Sequence, residues 1–400
     1  MSASRTTRRS FLRGSAGALL APGFLPGLSL SSPRPERRRC LVLVELFGGV
    51  DGLSVLVPHT QDIYYRSRPT LAYPRESLLR VTDDLGFPSH HEGLHQLFQE
   101  GRCRIVQGAG YPNSSRSHFS ARTVWGAGYP NHSPRADGWI ARLRDHLWAD
   151  DPRPETITHV GPVLAPALQS SVRPALCFDR PEGLDWIAPP AGGGGMTRGE
   201  DGEEEMPEVL RELRGKQSHA ERLAPELRRI VTGYEPTVPY PQTDFGQHLR
   251  SIAAMIQSGF PSRVYSVQHR SFDKHSPRFG RGEQVAIEFD RAMLAFLRDL
   301  QGTSAFDETL VLCHSEFGRV LKENSARGSD HGAAGLMFLF GNRLEGGLAG
   351  RMPSLTELDP NRALVPNVDF RRVYAAVIES WFETPHEPVM LESLDVEGLV

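Results

Sequence analysis

The chain has 400 residues, 39% hydrophobic and 23% charged, an ordinary globular composition long enough for one large α/β domain or two medium ones. The formal net charge of −3 includes Arg5, Arg8, Arg9 and Arg13 within the first 31 residues, which hold no acid, so the remainder is more acidic still. That balance argues against binding a nucleic-acid backbone as the main task.

Thr7-Arg8-Arg9-Ser10-Phe11-Leu12-Arg13 reads as a twin-arginine export motif. A weakly apolar stretch follows to Leu30, interrupted by Pro22 and Pro26. Residues 1–32 are therefore read as a signal peptide cut near Leu30 to Pro33, with the twin-arginine export machinery as partner and a periplasmic or secreted destination. No other segment is long and apolar enough for a stable membrane span. Cys40, Cys103, Cys177 and Cys313 show no C-x-x-C spacing. An oxidising compartment would permit two disulfides, but mostly free, buried thiols are expected.

Residues 33–400 read as a single α/β domain. Arg39 to Leu46 is a continuous apolar run ending in glycines, the pattern of a buried strand. It opens into Phe47-Gly48-Gly49-Val50-Asp51-Gly52, and His59 to His91 reads as a surface excursion. Leu94, Leu97 and Phe98 give helical spacing over Glu92 to Glu100, with Gly101 as a stop. A strand over Cys103 to Gln107 makes strand–helix–strand, favouring a right-handed crossover. A loop over Gly108 to His118 and a helix around Ser120 to Trp125 follow. Gly138 to Trp148 is an amphipathic helix, and Thr156 to Val160 a strand. Prolines recur between Pro162 and Pro190, and a flexible linker is expected near 190–206. Helices are predicted over Pro207 to Val231, Asp244 to Gln257, Gly282 to Leu300 and Asp369 to Phe382. Strands are predicted over Arg263 to Gln268, Leu310 to Cys313 and Leu336 to Phe340. Alternating strands and helices give a mainly parallel central sheet with helices on both faces.

Five polar clusters flank these strands: Asp51; Ser114-Ser115-Arg116-Ser117-His118; Asp273 and His275; His314-Ser315-Glu316; and Asp330-His331. A doubly wound sheet brings four of them to one edge, where ligands bind. Carboxylates and imidazoles from separate loops suit Zn, Mn, Mg or Ca. Each cluster also has a plainer explanation. Asp51 fits a turn. Asp273 and His275 fit a loop hydrogen bond, and Glu316 fits an ion pair with Arg319. His331 fits a core histidine, and Ser114 or Ser115 a cap. Ser117 beside His118 suggests nucleophile and base only if the loop bends or a helix begins there.

GGVDGL (Gly48 to Leu53), YPNSSRSHF (Tyr111 to Phe119), SFDKH (Ser271 to His275), SEFGR (Ser315 to Arg319) and GSDHG (Gly328 to Gly332) occur in this order behind the leader. Together they resemble the exported bacterial family called domain of unknown function 1501, over essentially the whole mature chain. That family is similar in fold to the alkaline phosphatase and sulfatase superfamily. The resemblance implies an alkaline-phosphatase-like sheet with a metal site at its strand ends. It implies Asp51, Asp273, His275, Glu316 and His331, with Asp330 alongside, as metal ligands, and Ser117 as nucleophile. The D-x-H spacing is shorter than the superfamily's, and Ser315-Glu316 stands in place of its Asp-His pair. Lys274 puts a cation beside the ligands. Neither C-x-P-x-R nor S-x-P-x-R occurs, so formylglycine chemistry is not expected.

The leading expectation is an exported hydrolase of phosphate or sulfate esters, dependent on one or two divalent metal ions. The ester would be borne by a small molecule or a polymer. Ser117 or a metal-activated water would attack, with Arg116 or Arg319 steadying the anion. The rival expectations are a non-catalytic exported binding or assembly protein, and a transferase acting on a cell-envelope polymer.

Overall fold

The run Cys40–Leu46 forms β1, every residue of it buried, because it sits mid-sheet with helices above and below. The computed structural model describes residues 39–129, 137–181, 221–273, 275–276 and 283–400. The expected signal peptide, the linker near 190–206 and Lys274 lie outside the described residues. From Arg38 onward the chain is one unit.

After β1 come α1 (Gly52–Val55), β2 (Val57–Pro58), α2 (Asp62–Ser67), β3 (Leu78–Arg80), β4 (Leu85–Pro88), α3 (Glu92–Gln99) and β5 (Cys103–Gly110). Next are α4 (His118–Ala127), α5 (Trp139–Leu147), β6 (Ile157–Val160), β7 (Leu176–Phe178), a helix α6 described over 221–232, α7 (Asp244–Ser258) and β8 (Val264–His269). The remainder is α8 (Glu283–Leu300), α9 (Ser304–Asp307), β9 (Thr309–His314), β10 (Arg319–Glu323), β11 (Ser329–His331), β12 (Gly335–Phe340), β13 (Gly347–Gly350), β14 (Val368–Asp369), α10 (Phe370–Phe382) and α11 (Glu387–Met390).

The main sheet runs β13-β5-β12-β9-β1-β8-β6-β7, with β14 on β5. β1 pairs in parallel with both neighbours, Leu41 opposite Leu310 on β9 and opposite Val264 on β8. β12 is antiparallel to both β9 and β5, which leaves β5 parallel to β1 but two strands removed from it. Alternation along β1 divides the core. Val42, Val44 and Leu46 pack with Leu94, Leu249, Ile252 and Phe296, from α3, α7 and α8. Leu41 and Leu43 face the other way, onto Trp125, Ile140, Leu143 and Val377, from α4, α5 and α10. Helices thus cover both faces of a mainly parallel sheet. Cys40, Cys103 and Cys313 are buried, and Cys177 is exposed. Among the described residues no helix is long and apolar enough to cross a membrane.

Two segments differ from expectation. Residues 59–91 are more than surface excursion. Strands β2, β4 and β3 form a small antiparallel sheet, and Phe87 on β4 is fully buried, as are Tyr64 in α2 and Arg68 at its end. The polar stretch after β9 is a hairpin, β10 against β11, which brings Arg319 opposite His331. Polar composition concealed the strands because their partners are charged and the pairing is irregular.

Arg68 also explains Asp51. Its Nη1 and Nη2 donate to Asp51 Oδ2 at 2.7 Å and Oδ1 at 3.0 Å, and Ser54 Oγ donates to Oδ2 at 2.8 Å. Truncating one partner strands a buried charge. Arg68→Ala should therefore cost about 3–5 kcal/mol in urea unfolding; a loss near zero would contradict a buried pair.

His159 on β6 and His314 on β9 are fully or nearly fully buried, and burial pushes each from the ordinary 6.5 to about 4. The folded state keeps them neutral while the unfolded chain takes up protons below about 6.5. Stability should fall as pH drops from about 6.5 to about 4. Urea midpoints of His159→Asn and His314→Asn should show a shallower fall, and an unchanged slope in both would refute this.

Candidate metal centre

Parallel strands β1, β5, β8 and β9 release their loops at one edge, and antiparallel β12 begins there. The five polar clusters therefore converge because one strand is reversed: His331 precedes its strand, yet arrives at the same rim.

His118, Asp273 and His331 each offer a ligand atom, all within 4.8 Å of one another. Two hydrogen bonds fix how the rings present themselves. Glu316, buried to 1% exposure, accepts from the Gly48 N–H through Oε1 and Oε2 at 2.9 and 3.2 Å. The same Oε1 lies 2.6 Å from His118 Nδ1, so that nitrogen donates. His331 Nδ1 donates to the Arg116 carbonyl at 2.7 Å. With Nδ1 committed in both rings, each Nε2 is the nitrogen turned inward, able to give a proton to a carboxylate or a lone pair to a cation. They face the same carboxylate: His118 Nε2 is 3.4 Å from Asp273 Oδ2, and His331 Nε2 is 3.2 Å from Oδ1. His275 Nε2 approaches too, at 2.8 Å from His331 Nε2 and 3.1 Å from Asp273 Oδ1. Lone pairs and a carboxylate converging in this way repel unless a proton or cation lies among them.

Electrostatics keep the carboxylate charged. Burial pushes Asp273 up, but hydrogen bonds from Arg319 and His331 and the Arg319 charge outweigh it and hold the carboxyl at about 2. The Glu316 hydrogen bond raises His118 against the cost of burial, while burial lowers His331. Phe317 closes one side, its ring centroid 4.9 Å from His118 and 4.5 Å from His331.

Arg319 is fully buried and ties the loops together. Its Nε donates to the Gly49 carbonyl at 2.9 Å, Nη1 to Ser329 O at 2.8 Å, and Nη2 to Asp273 Oδ1 at 2.6 Å, Phe272 O at 3.3 Å and Gly48 O. The glycines are required. At Gly48 (φ +124°) an added Cβ would lie 2.4 Å from Asp273 N, and at Gly49 (φ +75°) 2.3 Å from Phe317 Cε2.

The expected residues are distributed as follows. Asp273, His275 and His331 lie together, and Asp330 accepts from Asn324 Nδ2 at 2.9 Å with His275 Nδ1 at 3.4 Å. Glu316 stands behind His118 instead of within the metal-capable group. Asp51 is outside that group, its oxygens held by Arg68. Both ring nitrogens of His118 face carboxylates, Glu316 and Asp273. Arg319 cannot steady an anion, since its donors serve the protein. Arg116 pairs with Asp359 at 3.1 Å while its carbonyl aims His331. Ser117 occupies the N-cap of α4, yet its hydroxyl makes no cap hydrogen bond. Sequence reading missed His118 as a ligand, although S-H at the start of a helix was the available signal. A second group, Glu379, His386 and Glu387, is excluded because Glu379 and the Leu394 N–H occupy both nitrogens of His386.

Residues 204–372 match the family described as "Protein of unknown function (DUF1501)". The match is shorter than the expected whole mature chain: it spans Asp273, His275, Glu316, Arg319 and His331 but not Asp51 or His118. No curated protein matches the chain. Among solved structures, it is similar to a protein in the alkaline phosphatase superfamily from Vibrio parahaemolyticus (8% identity, 89% of this chain and 71% of that one, TM-score 0.42). It is also similar to the PsFucS1 sulfatase from Pseudoalteromonas sp. (10%, 87% and 69%, TM-score 0.37) and the lipoteichoic acid synthase LtaP from Listeria monocytogenes (8%, 84% and 76%, TM-score 0.36). At such identities the chemistry of this chain must be read from its own side chains.

The Glu316 contact yields a direct test. Glu316→Gln removes the charge that orients His118, and zinc affinity measured by competition with a chelating dye should fall by about 10–100-fold. Unchanged affinity would mean that His118 needs no such support.

Proposed function

We propose that the chain is an exported hydrolase of phosphate or sulfate esters that depends on a divalent metal ion. The observation that carries this reading is the pair of imidazoles with both Nε2 atoms turned onto one carboxylate. His118, Asp273 and His331 would hold the ion, and His275 is within reach as a fourth donor. An imidazole-rich set with one carboxylate suits zinc better than the oxygen-seeking Mg or Ca. An ion held there would supply Lewis-acid chemistry toward an ester oxygen.

The remaining work belongs to the protein. Glu316 and the Arg116 carbonyl hold the two rings in register, and Arg319 fixes the loops carrying Gly48 and Asp273. A serine at an N-cap normally spends its hydroxyl on a helix N–H. Ser117 does not, so its Oγ is available beside His118 as the attacking oxygen. The arginine-rich residues 1–32 support the exported part of this reading.

One observation favours a non-catalytic binding protein instead. The Arg319 guanidinium already takes Asp273 Oδ1, leaving Oδ2 as the freer ligand atom and weakening the hold on an ion. Protein purified without chelator, assayed by mass spectrometry for metal and on a panel of phosphate and sulfate esters, decides between them. We expect about one zinc per chain, lost in Asp273→Ala/His331→Ala. We expect Ser117→Ala to keep its zinc and lose ~100-fold or more in kcat. Zinc without turnover on any ester, or no metal at all, would refute the hydrolase and leave the binding protein.

A further inference from the structure

Beside the metal-capable cluster lies a cavity of about 710 Å³ whose lining includes Arg66, Arg116, Lys322, Glu323, Asp330 and Arg362. It adjoins the cluster through two residues. The Arg116 carbonyl holds His331, and Asp330 stands 3.4 Å from His275 Nδ1. Its four cations, Arg66, Arg116, Lys322 and Arg362, outnumber the two carboxylates of Glu323 and Asp330. Glu323 is spent on Thr70 Oγ1 at 2.5 Å and on the Thr70 and Leu71 N–H groups, and Asp330 is engaged by Asn324. Arg116 is paired with Asp359. Arg66, Lys322 and Arg362 form no ion pair among the described residues, and all three are exposed.

Arg362 adds a backbone signature. It sits at φ +66°, in the left-handed region that glycine or asparagine occupies at lower cost. Its loop is fixed from behind by Asp359, whose Oδ1 accepts from the Asn361 and Ala363 N–H groups at 2.9 and 2.7 Å. A cationic side chain is thus held at a strained backbone position in the cavity lining, to which other segments contribute Arg66 and Lys322.

The geometry points to a second anion subsite in this cavity, so that the substrate carries at least two anionic groups: the ester at the metal cluster and a neighbouring phosphate or sulfate held by Arg66, Lys322 and Arg362. This rests on the ester-hydrolase reading for the role of the first group. It fits an oligomeric anion with charged groups on adjacent units better than an isolated monoester. Three unpaired cations around one concavity attract multivalent anions most strongly, and the attraction weakens with salt.

The test measures binding of inorganic tripolyphosphate, and separately of a doubly sulfated disaccharide, to the zinc-loaded full chain by calorimetry. The triple variant Arg66→Gln/Lys322→Gln/Arg362→Gly should keep wild-type zinc content and thermal unfolding while binding one or both probes at least about tenfold more weakly. The arm that weakens identifies phosphate or sulfate as the preferred group. Should the triple variant misfold, Arg362→Gly alone, which relieves the positive φ, and Lys322→Gln alone should each weaken binding measurably. Wild-type affinity in every folded variant, or no binding of either probe by the wild-type chain, would overturn the subsite. If binding is lost in the variants but the wild-type chain turns over no ester, the hydrolase reading fails and the subsite stands.

Discussion

The site depends on one buried cation. Arg319 has no access to water, so each of its donors must find an acceptor inside the protein. The acceptors it finds lie on three separate segments: the Gly48-Gly49 turn after β1, Phe272-Asp273 after β8, and Ser329 on β11. These are the segments that support Glu316, supply Asp273 and lead into His331. A guanidinium with a fixed fork of donors sets their mutual spacing in a way a lysine could not.

Around that clamp the chemistry is layered. Glu316 and a backbone carbonyl define which nitrogen each histidine turns inward, and Phe317 excludes water from one side. The same architecture separates tasks between carboxylates. Asp51 is consumed by Arg68 and Glu316 by His118 and Gly48, so Asp273 alone among these three faces both imidazoles. The cationic cavity beyond Arg116 extends the charged surface outward from this centre.

Much of the scaffold was legible because its elements obey simple periods. Cys40–Leu46 and Thr309–His314 are continuous apolar runs, as strands buried on both faces must be, and α7 and α8 show helical spacing. The β10–β11 hairpin was not legible, since Lys322, Glu323 and Asp330 make it read as loop and its pairing depends on Arg319 meeting His331. Asp273, His275 and His331 could be singled out as polar residues at strand ends. The roles of Asp51, Glu316 and His118 could not, because each is set by a partner 17 to 198 positions away, and no local pattern records which carboxylate will meet which cation.

X-ray absorption on the zinc-loaded protein tests the shared-cation site most directly. The expected first coordination sphere holds two or three imidazole nitrogens at about 2.0–2.1 Å together with carboxylate oxygen, and it loses imidazole scattering in His118→Ala. A sphere of oxygens alone, or one unchanged in His118→Ala, would contradict the convergence of His118, Asp273 and His331 on a single ion.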